Sequence, residues 1–238
     1  IRVVMEPMAR DAKEPIGSMG TDTPLAVLSE RPRLLYDYFK QHFAQVSNPP
    51  IDSTRESLVM SLACSLGGDG NLLEEKPEQA RALTLPGPVL TSEELARVKT
   101  QAPEAFVSET LQMLWRPAYG LGALDAALVT LTRLAEGAVR MGKVVLVLSD
   151  RGSDKEYAPI PALLATGAVH HHLIRAGLRS RCSLVVESGE PREIMHVALL
   201  VGYGAHAVNP WLALDTVRDC ARRGDLGVRA GGGVGSRP

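Results

Sequence analysis

The sequence predicts an α/β fold of parallel βαβ units preceded by a mainly helical segment. Two observations carry this reading. Three apolar runs in the second half, Lys143–Asp150, Ser183–Ser188 and Ala205–Pro210, are rich in Val, Leu and Ala without alternation, as strands buried on both faces are. Between and after them lie helical stretches over residues 159–176, 190–202 and 211–223, punctuated by Pro at their starts and Gly at their ends. A β-α-β-α-β-α order favours parallel strands joined by right-handed crossovers.

Taken from the N-terminus, residues 1–24 are rich in Gly, Pro, Met and charge and read as an extended entry segment. Leu25–Leu28 reads as a short strand. Ser29 and Pro32 then open a helix in which Leu34, Leu35, Tyr38, Phe39, Phe43 and Val46 share one face. That helix ends before Asn48-Pro49-Pro50, since a residue preceding proline is pushed out of the α region. Asp52 or Ser53 caps a second helix, predicted to run to Gly67-Gly68-Asp69-Gly70. Residues 71–90 form a polar, proline-punctuated connection. Thr91 with Glu94 three residues on is a capping box. A short strand falls near Glu109–Trp115, and residues 122–141, rich in Ala and Leu, are helical. The Gly-rich stretch from Gly227 predicts a flexible tail. The domain plan is therefore 1–24, 25–226 and 227–238.

Hydrophobic residues make up 45% of the 238 and charged residues 22%, an ordinary globular balance. A formal net charge of −1 and 4% aromatics argue against nucleic acid as a partner, and no apolar run approaches the ~20 residues a membrane helix needs. Three cysteines, Cys64, Cys182 and Cys220, are too sparse for a disulfide framework and fit a reducing compartment. Ile1 stands where an initiator Met would, with no signal peptide after it, so the chain is expected to begin inside a longer polypeptide.

Polar residues collect where the strands end. Asp150, Arg151, Glu187 and Asn209 are the candidates for a ligand site, because parallel α/β folds bind at the carboxyl ends of strands. Asp, Ser and Gly also terminate strands and cap helices. The lack of a nucleophile–base pair favours that structural role. His170-His171-His172 cannot converge on one ion, since successive helical residues turn by ~100°. Gly67–Gly70 lacks the Lys-Ser/Thr of a phosphate loop and reads as a turn. Asn48-Pro49-Pro50-Ile51-Asp52 is a rigid polar turn, suited either to lining a passage or to joining two helices.

Several ordered motifs resemble the central domain of glutamate synthase large chains. They include Ser18–Ser29, the run from Arg31 to Ser61 with Asn48-Pro49-Pro50-Ile51-Asp52, Gly70–Leu73, Leu148–Gly152, Pro159–Leu164, Val185–Gly189 and Gly202–Pro210. The resemblance extends to about Leu226. It implies a reduced, incomplete TIM-barrel-like domain that carries no cofactor of its own. In such enzymes an amidotransferase domain with an N-terminal cysteine releases ammonia from glutamine. The ammonia crosses a tunnel to an FMN domain, where 2-oxoglutarate becomes glutamate with electrons from an iron–sulfur cluster. The resemblance makes Ser47 and Asn48 tunnel-lining residues and the flanking amidotransferase and FMN domains the partners, in the cytoplasm or a plastid. Ile1 in place of the cysteine nucleophile, and the lack of FMN-site motifs and cluster cysteines, imply that the chain alone is inactive. The competing reading is an independent small-molecule enzyme using Asp150, Arg151, Glu187 and Asn209.

Overall fold

In chain order the first element is a short helix, α1 (Met5–Asp11), where the composition suggests an extended segment. The computed structural model describes residues 1–15, 26–39, 52–71 and 73–226. Ala26–Leu28 forms a 3₁₀ turn instead of the expected strand. Val27 and Leu28 are exposed there, and without a partner strand the backbone closes its hydrogen bonds locally. Leu35–Phe39 is also 3₁₀ rather than α-helical. The rest of that expected helix, with Ser47 and Asn48, lies outside the described residues, as does the Gly-rich tail.

Helix α2 (Ser53–Val59) opens on the expected cap, with the Asp52 carboxylate accepting the N–H groups of Thr54 and Arg55 at 3.1 and 2.9 Å. It stops well short of Gly67. Strand β1 (Cys64–Leu66) follows, where the sequence predicts the end of that helix, and pairs antiparallel with β2 (Leu83–Leu85), inside what the sequence presents as a connection. Three-residue strands carry too little periodicity to be read, and this pair is held by burial of Leu66 and Leu85. Gly67 both donates to and accepts from the Ser183 hydroxyl at 2.9 Å, so this turn is fastened to the main sheet.

Helix α3 (Ser92–Gln101) starts in the capping box, Thr91 Oγ1 accepting the Glu94 N–H and Glu94 accepting the Thr91 N–H. Strands β3 (Ser108–Gln112) and β4 (Leu114–Trp115) divide the stretch predicted as one. The remainder runs α4 (Leu121–Arg140), β5 (Val145–Ser149), β6 (Ala158–Pro159), α5 (Ala162–Arg175), β7 (Ser183–Glu187), α6 (Ile194–Gly202), β8 (Ala207–Asn209) and α7 (Trp211–Arg223). The alternation expected of the second half is present throughout.

Strands β3, β5, β7 and β8 make one parallel sheet in that order, while β4 and β6 pair antiparallel beyond it. Residues 88–90 add a parallel contact outside β8: Val89 bridges Val208, and Leu90 N–H reaches Val208 O at 2.9 Å. Every residue of β5 and β7 is buried. The two-residue period sends Leu146, Leu148, Leu184, Val186 and Val208 into a core with α4, α5 and α6. Val145, Val147, Val185 and Ala207 meet α3, Leu66, Leu85 and Phe106 on the other face. This is an α/β fold with parallel βαβ units, and the described strands form an open sheet. Truncation of Leu146 to Ala should cost about 2–5 kcal/mol in urea unfolding, through lost burial and the cavity left behind.

At the amino end of the sheet Arg179 ties three elements together. Its Nε donates to His170 Nδ1 at 2.8 Å, and its terminal nitrogens donate to the carbonyls of Cys182 and Gly204 at 2.8 and 2.7 Å. Gly204 has φ +111°, and a Cβ there would collide with the His170 ring, so the position requires glycine. His206 Nδ1 accepts the Leu184 N–H at 3.2 Å. Burial, and then Arg179, pull its pKa down to about 4, so the ring is neutral in the folded chain. Unfolded histidine takes a proton near pH 6.5. The stability this site confers is therefore complete above pH ~6.5 and drains away as pH falls toward ~4. The melting temperature should drop over that window, and His206→Gln should flatten the drop.

Candidate functional site at the carboxyl edge of the sheet

The last paired register of the sheet aligns Gln112, Ser149, Glu187 and Asn209, one from each strand. All four therefore point to the α3 side. Glu187 is buried with two cations on it: Lys99 Nζ at 2.7 Å from Oε2 and Arg151 Nε at 2.7 Å from Oε1. Burial alone pushes a carboxyl up. The hydrogen bonds from Lys99, Ser149 and Arg151, with the Lys99 charge, outweigh it and hold Glu187 below the usual glutamate value. The Arg151 guanidinium lies 4.6 Å from the centre of the Trp211 ring and reaches Ser92 Oγ at 3.4 Å. Asn209 donates from Nδ2 to Leu90 O at 2.8 Å, fastening residues 88–90 to β8, while its Oδ1 is buried without a partner among the described residues.

Asp150, one residue past β5, points to the opposite side. Its Oδ2 accepts from Ser188 Oγ at 2.7 Å and Gly189 N–H at 2.8 Å, and its Oδ1 accepts from Trp211 Nε1 at 2.8 Å. Glu190 accepts the Ala162 N–H at 3.0 Å and thereby caps α5. The four predicted residues thus share one edge but not one cluster. Glu187 and Arg151 pair, Asp150 knits the β5, β7 and β8 ends together, and Asn209 anchors a neighbouring segment. Nothing in the sequence pointed to Lys99 or Trp211. Lys99 sits on a separate helix, and Trp211 reads as an ordinary helix-opening residue. A groove of about 320 Å³ lies nearby between α3 and the Leu83–Leu90 segment, lined by Leu83, Leu85, Val89, Leu90, Val98 and Ala102 among others. None of the four predicted residues lines it.

The three histidines of α5 have separate surroundings. His170 accepts from Arg179, His172 Nε2 lies 2.8 Å from Glu136, and His171 sits edge-on to His170. No group of His, Cys, Asp and Glu among the described residues is arranged to hold a metal ion. None of the described helices is long and apolar enough to cross a membrane.

Compared with known proteins, residues 1–232 match the family described as the glutamate synthase central domain. The chain belongs to that family. It is 51% identical to ferredoxin-dependent glutamate synthase 2 of Synechocystis over 92% of its length, 46% identical to the NADH glutamate synthase of Schizosaccharomyces pombe over 94%, and 43% identical to the NADPH glutamate synthase large chain of Bacillus subtilis over 96%. It spans only 14%, 11% and 15% of those proteins, respectively. The central-domain family is thus represented here by a segment whose relatives are several times longer.

Within this central domain the Asp150 network makes a specific demand. Both carboxylate oxygens face N–H or O–H donors, so an amide nitrogen in place of either would oppose a donor. Asp150→Asn should destabilise the chain by about 2–4 kcal/mol in urea unfolding and shift Trp211 emission, since its indole N–H loses a charged acceptor. An unchanged unfolding midpoint would show that the network does not bear on stability.

Proposed function

We propose that this chain is the connecting domain of a glutamate synthase large chain, joining a glutamine amidotransferase part to an FMN-bearing synthase part and walling the passage for ammonia between them. The observation that carries the reading is the near full-length match, at 43–51% identity, to proteins named for three different electron donors: ferredoxin, NADH and NADPH. A segment common to all three serves a step that the donor does not alter.

The geometry supports a scaffold. Polar groups at the sheet edge are used mainly on one another, which stiffens the domain. The strands pair in chain order with α4, α5 and α6 on one face, as in a (β/α) barrel, while α3 and the β1–β2 pair cover the other. Residues 88–90, which precede β3 in the chain, pair with the last strand β8, as the first strand of a barrel pairs with its last. This favours a reduced, incomplete barrel. Val27, Leu28 and Phe39, and Leu58, Val59, Met60 and Leu62, leave apolar side chains exposed on either side of the 40–51 stretch, as surfaces that meet flanking domains do.

The residues present do not suit the parent enzyme's cofactors. Burial raises the Cys182 thiol to about 11, and burial likewise raises Cys64, so neither offers a ready thiolate for an iron–sulfur cluster. The Gly67–Gly70 turn packs closely against the chain at Gly68, where a Cβ would lie 2.8 Å from the Arg181 carbonyl. On this reading FMN and the cluster belong to the flanking parts, and the domain contributes shelter. Ammonia loses its nucleophilic lone pair when water protonates it, so a dry enclosed route preserves its reactivity. Ser47 and Asn48 are proposed to line that route.

In an assembled large chain, Ser47→Phe should obstruct the route. Glutamine hydrolysis should then exceed glutamate formation several-fold, and a ratio that stays at one would remove Ser47 from the passage. The chain by itself should show neither flavin absorbance after incubation with FMN nor glutaminase activity.

A further inference from the structure

The groove of about 320 Å³ beside α3 has a floor of Leu83, Leu85, Leu90, Val98 and Ala102. These side chains belong to the core on the α3 face of the sheet, or pack against it, so the floor is already formed and apolar. One wall is a stripe of α3, where Glu94, Arg97 and Gln101 recur at helical spacing and share a face. Glu94 is committed to the capping box, its Oε2 accepting from Thr91 N–H at 2.8 Å and from Thr91 Oγ1 at 2.9 Å. Arg97 and Gln101 make no side-chain hydrogen bond or ion pair with any described residue. A cation without a counterion thus stands over an apolar floor.

The opposite wall includes Val89, which is half exposed. Leu90 N–H reaches Val208 O at 2.9 Å, and Val208 N–H reaches Pro88 O at 2.7 Å. In a parallel ladder the residue between those two contacts turns its own N–H and carbonyl away from the partner strand. The Val89 N–H is therefore a second free donor at the groove's margin. The backbone bends over residues 86–88 and helix α3 begins at Ser92, so this open margin is too short to seat an added peptide strand. A small molecule fits better, and the volume falls at the low end of the roughly 300–1,000 Å³ typical of such sites.

We propose that the groove binds an aliphatic monocarboxylate of roughly six to eight carbons, its tail on the leucines and Val98 and its carboxylate at Arg97. Val89 N–H and the Gln101 amide supply neutral donors from the two walls. A ligand with a second carboxylate is disfavoured, because Glu94 already places a negative charge on the same wall. That excludes short dicarboxylates such as 2-oxoglutarate, so the site is separate from the proposed glutamate chemistry and stands whether or not the domain walls a passage.

The test is titration of the ¹⁵N-labelled chain with octanoate, octanol or suberate, followed by the NMR shifts of its backbone amides. Octanoate should produce saturable shifts at Val89, Arg97 and Ala102 with a dissociation constant at or below about 1 mM. Arg97→Gln should weaken octanoate about tenfold and leave octanol unchanged, since only the acid uses the charge. Ala102→Leu, which fills the floor, should weaken both several-fold, with the urea midpoint of each variant confirming an intact fold. Suberate should bind at least about tenfold more weakly than octanoate. No saturable shift at these amides up to about 10 mM octanoate would overturn the proposal. So would an Arg97→Gln chain that binds octanoate as tightly as before, or suberate binding as tightly as octanoate.

Discussion

Complete burial of β5 and β7 on both faces is the constraint from which the rest of the structure follows. A strand covered on both sides must be apolar along its length, so its polar residues are pushed to the final register and just beyond it. There they remain largely buried, and each charge needs an internal partner. Lys99 and Arg151 serve Glu187, while Ser188, Gly189 and Trp211 serve Asp150. The same burial requires cover on two faces, which α4, α5 and α6 give on one side and α3 with the β1–β2 pair on the other.

That constraint also explains what could be read from the sequence. Val145–Ser149, Ser183–Glu187 and Ala207–Asn209 announce themselves because continuous Val and Leu runs have few other uses in a polar chain. The helices between them follow from Pro, Gly and spacing. The Thr91–Glu94 box was legible because its two hydrogen bonds are local. The first half was harder to read. Cys64–Leu66 continues an apolar helical pattern, and only its pairing with Leu83–Leu85 makes it a strand. Val27 and Leu28 have strand-like side chains but no strand beside them. At the sheet edge, Asp150, Arg151, Glu187 and Asn209 were legible by position. Lys99 and Trp211 reach the edge from elements whose docking no sequence spacing encodes.

The arrangement of that edge bears on what a central domain contributes. In parallel α/β enzymes the carboxyl ends of the strands present loose polar groups to a substrate. Here the Glu187 carboxylate is held between two cations, and Asp150 is saturated by three donors. The groove beside α3 is mostly apolar and separate from both. Such an edge is suited to holding a shape. On the reading proposed above, shape is the contribution: a rigid body that fixes two reaction centres relative to each other and keeps water from what passes between them. The exposed apolar groups around α2 and the 3₁₀ turns then mark where the domain expects neighbours.

The most direct test of that account is isotope dilution in a large chain containing this domain. Glutamine labelled with ¹⁵N in its amide would be supplied with 2-oxoglutarate and a large excess of unlabelled ammonium in the medium, and the label in the new amino group of glutamate would be read by mass spectrometry. A sheltered route predicts that the label is carried over nearly undiluted, and that it is diluted when the domain is replaced by a flexible linker of equal reach. Dilution to the level of the medium in the intact chain would contradict the account.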